Sequence, residues 1–481
     1  MRKIAIFASI LWVTGCGAAS TARGPAVASS GANVAVATTT TDPASTDTGV
    51  RRDTGTRGAW IGVAPESDVL ATGDGTAAIG LWVDAPQGRP REHVPMDVAL
   101  VVDTSGSMGG PKIDNARRAA ALLVDDLSDG DIVSLVSFSD EARTIAPPTV
   151  LSTASRASLK RQIVQLTPTG STNMFDGLAL GESQVARAPA THTVRRVVVI
   201  SDGIANVGPS SPESLGALAE RGLRFQAQVT SLGVGTDYDE HTLDALAVRS
   251  TGRLYHLSEP REMVSLLQHE LDLLRSTVAT HAFVEVLPAP GVDLVSVEGC
   301  RSERGENGSL KLPLGALFSG QHREALLRVR IRDASVTSSR ALASVRLHFD
   351  DPADGDLPRI QEVVARAAFS DDASAVASGE NAKAKSIIAV LDASKLELGA
   401  SESASTGQFA EADKQLAQAE EALESRAKKS KDDAERTRLV AVARKVAHAR
   451  TEVQAAPRAA PSVQRNLPMT LNAAGMHDAG F

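Results

Sequence analysis

Three short segments concentrate side-chain oxygen: Asp103-Thr104-Ser105-Gly106-Ser107, Thr169-Gly170-Ser171-Thr172-Asn173 and Asp202-Gly203. Brought together, they offer two carboxylates and several Ser and Thr hydroxyls, with no imidazole or thiolate among them. Oxygen-only sets suit hard cations such as Mg2+, Mn2+ or Ca2+ and suit zinc poorly. Hydroxyls are neutral, weak donors, so an ion held this way stays electron-poor and open to one more anionic oxygen. Catalytic patterns are weaker. Ser105 and Ser107 lie outside any G-x-S-x-G elbow. His269-Glu270 lacks the second His of H-E-x-x-H, and Gly233-Val234-Gly235 lacks the third Gly of a dinucleotide loop. No base or nucleophile stands beside the oxygen cluster, so the chain reads as a binding protein and not an enzyme.

The segments matter only if the fold gathers them. Met96–Asp103 is a short apolar run ending in Asp, and Ile132–Phe138 and Arg196–Ser201 are two more such runs. Between them, Lys112–Leu127, Ser155–Leu166 and Met174–Ala186 carry helical spacing, and Ala142–Ile145 reads as a short edge strand. Helix Ser214–Gly222, strand Phe225–Leu232, helix Glu240–Ser250, strand Gly252–His256 and helix Pro260–Ser276 follow. Continuous apolar strands alternating with helices predict a parallel, doubly wound sheet covered on both faces. Such sheets hold ligands at the carboxyl ends of their strands, which is where all three oxygen segments fall.

In this order and on these strand ends, D-x-S-x-S, Gly170-Ser171-Thr172-Asn173 and Val197-Val198-Val199-Ile200-Ser201-Asp202-Gly203 resemble the metal-ion-dependent adhesion site of von Willebrand factor type A domains. Leu232–Asp239 and Gly252-Arg253-Leu254-Tyr255-His256 look like bacterial members of that family. The resemblance covers residues 95–277. It implies a Rossmann-like fold, with Asp103, Ser105, Ser107, Thr172 and Asp202 as the metal-site residues. It also implies Mg2+ as the ion, with Mn2+ or Ca2+ as alternatives, and a protein partner whose Asp or Glu carboxylate fills the open position. Ser171 departs from the pattern, a second Gly being common there, and removes no ligand. Asp237, Asp239 and Glu240 read as a loop and helix start. The histidines, among them His192, His241, His256 and His281, read as surface or packing residues.

Met1 is followed by Arg2 and Lys3, then the apolar run from Ile4 to Val13, which is a secretory signal pattern. Val13-Thr14-Gly15-Cys16 resembles a bacterial lipobox, which implies cleavage after residue 15 and lipid on Cys16. Gly17 behind that cysteine, instead of Asp, points to the outer membrane. Residues 16–56, rich in Ala, Ser, Thr and Gly, read as a tether reaching roughly 35 Å. Cys300 is then left without a partner and reads as a bystander.

Strand-like runs at 57–94 (Ala59–Val63, Ala77–Asp84) and at 278–370 predict one β-sandwich interrupted by the α/β domain at 95–277. For Pro358–Phe369 a strand and a helix are both open. Residues 371–456 turn helical, with Phe409, Ala412, Leu416, Ala419 and Leu423 facing Leu439, Val442, Val446, Ala449 and Val453 in an αα-hairpin, and 457–481 read as a disordered tail. The fold class is thus multidomain α/β plus β with a helical end. A net charge of −8 without basic clusters argues against nucleic-acid partners, and 3% aromatic residues argue against stacking platforms. The function expected is capture of a protein partner by a lipid-anchored envelope protein. An assembly or remodelling adaptor of the kind that works with AAA+ ATPases stands behind it, and a metal-assisted hydrolase behind that.

Overall fold

The computed structural model describes residues 60–88, 93–235, 239–257, 259–305 and 308–478. The signal pattern, Cys16, the tether and Asp237 lie outside them.

The chain enters through β1 (Ile61–Pro65), β2 (Val69–Ala71) and β3 (Gly73–Asp84). An α/β unit follows: β4 (Met96–Asp103), α1 (Pro111–Asp126), β5 (Ile132–Phe138), β6 (Ala142–Val150), α2 (Thr153–Val164), α3 (Met174–Val185), β7 (Val194–Ser201), α4 (Pro212–Gly222), β8 (Ala227–Val234), α5 (Glu240–Arg249), β9 (Arg253–Leu257) and α6 (Met263–Arg275). The strand order is β6-β5-β4-β7-β8-β9, parallel except for β6. Strands β4, β5, β7 and β8 are buried along nearly their whole length, as continuous apolar runs require. Helices α1, α2 and α6 cover one face, and α3, α4 and α5 the other. The chain leaves β4 toward β5 on one side and later returns to β7 on the other, so the topological switch point lies at β4. Edge strand β6 runs through Pro147 and Pro148 to Val150, longer than its sequence suggests; an edge tolerates residues that cannot donate to the ladder.

Next come β10 (Thr277–Pro288), β11 (Val292–Glu298), β12 (Glu303–Arg304), β13 (Leu310–Phe318), β14 (His322–Ala334), β15 (Thr337–Asp351) and β16 (Leu357–Ser370). They form two sheets, β1-β3-β14-β11 and β12-β13-β10-β15-β16-β2, so the N-terminal strands join the later ones and the α/β unit is an insertion in a sandwich. One core is shared by inward residues of both sheets, such as Ile79 and Leu327 against Val284 and Leu347. Residues 358–369 are strand and not helix; alternating burial along β16 gives the period of two.

The helical end comprises α7 (Ala373–Ser378), α8 (Ala382–Ser405), α9 (Phe409–Lys429), α10 (Asp433–Ala455) and α11 (Pro461–Asp478). Helices α9 and α10 pack as the expected hairpin, with Leu416, Leu423, Leu439 and Val446 buried. Gly80 lets α8 approach β3, since a Cβ there would stand 3.2 Å from the Ala384 backbone. The expectation of a disordered tail at 457–481 is corrected by α11. Leu467 and Leu471, one turn apart, are buried in the helical core, and Ser401 Oγ donates to the Pro468 carbonyl at 2.8 Å. Pro468 and Gly475 inside the segment mask this spacing in the sequence. Among the described residues no helix is long and apolar enough to cross a membrane.

Asp97, second residue of β4, is fully buried, and neither carboxylate oxygen has a hydrogen-bond partner among the described residues. Burial pushes its pKa from 3.8 up to about 7, opposed by Arg195. The folded chain therefore holds this proton between about pH 4 and 7 while the unfolded chain releases it. This contribution is most favourable below about pH 4 and falls as pH rises to about 7, by on the order of 4 kcal/mol. Asp97→Asn should flatten the decline and exceed wild type in denaturant midpoint at pH 8. Parallel pH profiles for the two proteins would refute this account.

Candidate metal centre

Because β4 and β7 are adjacent and in register, with Val102 beside Ile200, the residues that follow emerge side by side. Asp103 closes β4, and Asp202 follows β7 directly. The third segment is docked from the opposite side: Gly106 N–H donates to the Gly170 carbonyl at 3.0 Å, and Thr169 N–H to the Thr104 carbonyl at 2.7 Å. Gly170 adopts φ +74, and a Cβ there would overlap the Asp140 carboxylate, so this turn requires glycine. Asp140 in turn accepts from Ser171 N–H at 2.9 Å. Asn173 caps α3 by accepting from Asp176 N–H at 3.2 Å.

The five residues singled out in the sequence come together at this rim. Asp103 is fully buried; Oδ1 accepts from Ser105 N–H at 2.7 Å and Oδ2 from Ser201 Oγ at 2.6 Å. Burial raises its pKa to about 6, against those hydrogen bonds and with the help of the Asp202 charge. Ser105 Oγ lies 3.0 Å from Ser107 Oγ, which donates to Asp202 Oδ1 at 2.9 Å. The Lys112 ammonium, from the first turn of α1, pairs with Asp202 Oδ2. Thr172 and Asp202 are buried, whereas Ser107 faces solvent. A methyl on Gly203 would stand 3.1 Å from Thr172 Oγ1 and 3.6 Å from Ser107 Oγ, so the bare glycine keeps open the space between these hydroxyls.

Among the described residues no three His, Cys, Asp or Glu side chains cluster as a metal group. A cation here would therefore rely on hydroxyl oxygens beside the two carboxylates, and the donor set fits a hard divalent ion. Four supporting residues were not singled out from the sequence: Ser201 and Lys112 on the two carboxylates, Asn206, whose Oδ1 accepts from Thr172 N–H at 2.9 Å, and Asp140. Ser201 could have been found from its place between β7 and Asp202. Nothing short of the fold points to Lys112 or Asn206. Asp239 caps α5, accepting from His241 and Thr242 N–H at 3.1 and 3.3 Å. Cys300 is a free thiol, pushed up to about 12 by burial.

The model of the von Willebrand factor type A domain family matches residues 97–269. Uncharacterized protein sll0103 of Synechocystis sp. is 25% identical over 273 residues, which cover 55% of this chain and 63% of that one. Inter-alpha-trypsin inhibitor heavy chain H3 of Mesocricetus auratus is 28% identical over 207 residues, 42% of this chain and 23% of that one. A solved von Willebrand factor type A structure from Catenulispora acidiphila superposes with a TM-score of 0.68 at 16% identity, over 88% of this chain and 98% of that one. It shares the fold across the sandwich and the α/β unit alike.

Proposed function

We propose that the von Willebrand factor type A domain carried by this chain captures a protein partner through a divalent cation, on a bacterial envelope protein anchored in the outer membrane by lipid at Cys16. This domain is a protein-interaction fold. The observation that supports the cation reading is the convergence of Asp103, Ser105, Ser107, Thr172 and Asp202 at the switch point, around a space that Gly203 leaves open.

Asp103 and Asp202 would supply negative charge, and Ser105, Ser107 and Thr172 neutral oxygen. A bound ion, Mg2+ first and Mn2+ or Ca2+ as alternatives, supplies an electron-poor centre that takes one carboxylate oxygen from the partner's Asp or Glu. Ser201 and the Ser105 N–H hold Asp103 in one orientation, so little ordering remains for binding. Exposed Ile204, two residues after Asp202, offers the partner an apolar contact at the rim. No nucleophile or general base among the described site residues suits catalysis, and we read the chain as non-enzymatic.

Mg2+ titrated calorimetrically into the chelator-treated full chain should saturate at one ion per chain and vanish with EDTA. Absence of saturable heat with Mg2+, Mn2+ and Ca2+ alike would overturn the reading. For the anchor, Cys16→Ser should move the chain from the membrane to the soluble fraction; unchanged partition would remove that part.

A further inference from the structure

The α/β unit joins the sandwich through the segment between β3 and β4 and again at Ser276, where α6 runs into β10. The two also pack directly. Ala316 and Phe318, at the end of β13, enter the α/β core; Ala316 N–H donates to Gln228 Oε1 at 3.3 Å, and Arg301 reaches Glu220 of α4 at 2.6 Å. This packing is not continuous. A cavity of about 520 Å3 lies between the sandwich and the β9–α5 side of the α/β unit. An inserted domain moves relative to its host unless further contacts hold it.

At β9 a further contact comes from the far end of the chain. Helix α11 turns Leu467 and Leu471 into the helical core, beside the bond from Ser401 to the Pro468 carbonyl. At 3.6 residues per turn, Met469 stands about 200° round the helix from Leu467. Met469 packs onto the α/β core cluster that contains Leu243 and Leu246 of α5, as Leu254 of β9 does. Helix α11 thus lies against β9, the edge strand of its sheet, with opposite faces committed to different units.

The helical end is held on the sandwich largely by charge. Lys383 and Lys385 of α8 reach Glu324 and Glu66 at 3.1 and 2.8 Å, Lys395 reaches Glu298 at 2.8 Å, and Arg438 of α10 pairs with Glu324. In each of these pairs the acid belongs to the sandwich and the base to the helices. The apolar part of the boundary is small, with Ile387 and Leu391 of α8 against Ala78 and Leu326.

We propose that the helical end is an electrostatically docked brace. Its ion pairs fix it to the sandwich, and α11 carries that anchorage across to β9, which sets the orientation of the α/β unit. Loosening the docking frees β9 and α5, whereas β4 and β7 are held by packing inside the unit. The brace needs no ion at the Asp103–Asp202 rim, so it holds in EDTA.

Hydrogen–deuterium exchange of the full chain in EDTA, read by mass spectrometry, tests this. Lys383→Met combined with Arg438→Met should speed exchange in β9 and α5 roughly tenfold, although both substitutions lie in another unit, and should leave β4 and β7 protected as in wild type. Met469→Asp should free β9 and α5 in the same way while α8 keeps its protection. On the wild-type chain, raising NaCl to about 1 M, where the screening length is roughly 3 Å, should speed exchange in β9 and α5 severalfold relative to β4. Faster exchange confined to α8 and α10 in the double variant would make the ion pairs purely local and overturn the brace. Wild-type protection of β9 and α5 in Met469→Asp would overturn it too. So would salt-insensitive β9 and α5 in wild type, a comparison independent of how any variant folds.

Discussion

Asp202→Ala and Asp103→Ala should each weaken Mg2+ binding on the order of a thousandfold, with Asp202→Ala the more severe. Asp103 sits fully buried at the end of β4, its two oxygens already oriented by Ser105 N–H and Ser201 Oγ. Truncation removes a charge and leaves two donors facing an empty space. Asp202 carries a second duty, because its Oδ2 balances the Lys112 ammonium. Without that carboxylate the ammonium remains as an uncompensated positive charge beside the cation. Two unit charges about 4 Å apart interact by about 4 kcal/mol at an effective dielectric of 20. Losing one attractive partner therefore weakens binding on the order of a thousandfold. Asp202→Asn keeps an acceptor for Ser107 and should fall between wild type and Ala. Lys112→Met should act in the opposite direction and tighten Mg2+ by removing the competing charge. Calorimetry on the four variants, with circular dichroism as the fold control, checks this. Heats like wild type in both alanine variants would end the cation assignment, and unchanged affinity in Lys112→Met would mean that Lys112 leaves Asp202 when an ion is present.

The α/β unit was legible because buried parallel strands write themselves as continuous apolar runs, and Met96–Asp103 and Ile132–Phe138 coincide with β4 and β5 residue for residue. The site was legible for the same reason: each oxygen segment abuts a strand or opens a helix, and register between β4 and β7 does the rest. Its supporting groups were not. Lys112 and Asn206 reach the site through loops and one helix turn, and their distance from it is set by tertiary packing and not by any period. The tail failed for a related cause, since Leu467 and Leu471 are too few to declare a helix interrupted by Pro468. The cavity beside β9 is a property of how the sandwich and the α/β unit meet, and no local pattern in either announces it.

Glu270→Ala should be among the most destabilising single changes in the chain, at roughly 3–5 kcal/mol. Glu270 on α6 and Arg196 on β7 are both buried to about 1% exposure, with Arg196 Nε 3.5 Å from Glu270 Oε1. Burial alone would push the Glu270 carboxyl up; Arg196, Arg253 and hydrogen bonds from Thr230 Oγ1 at 2.6 Å and Tyr255 Oη at 2.9 Å outweigh it and hold the group below its usual range. Arg196 stays charged whatever its neighbours, so deleting the carboxylate strands a guanidinium inside the sheet, along with two hydroxyl donors. The carboxylate also ties α6 to β7, β8 and β9 at once, which locks the last helix of the domain onto three strands. The cost belongs to the broken pair and not to the loss of charge as such. Glu270→Leu combined with Arg196→Met, which replaces both ions by apolar groups of similar bulk, should therefore recover most of the stability. Denaturant unfolding followed by far-ultraviolet circular dichroism distinguishes the cases. A single-variant cost below about 1 kcal/mol, or a double variant as unstable as Glu270→Ala, would show that the pair does not hold α6 in place.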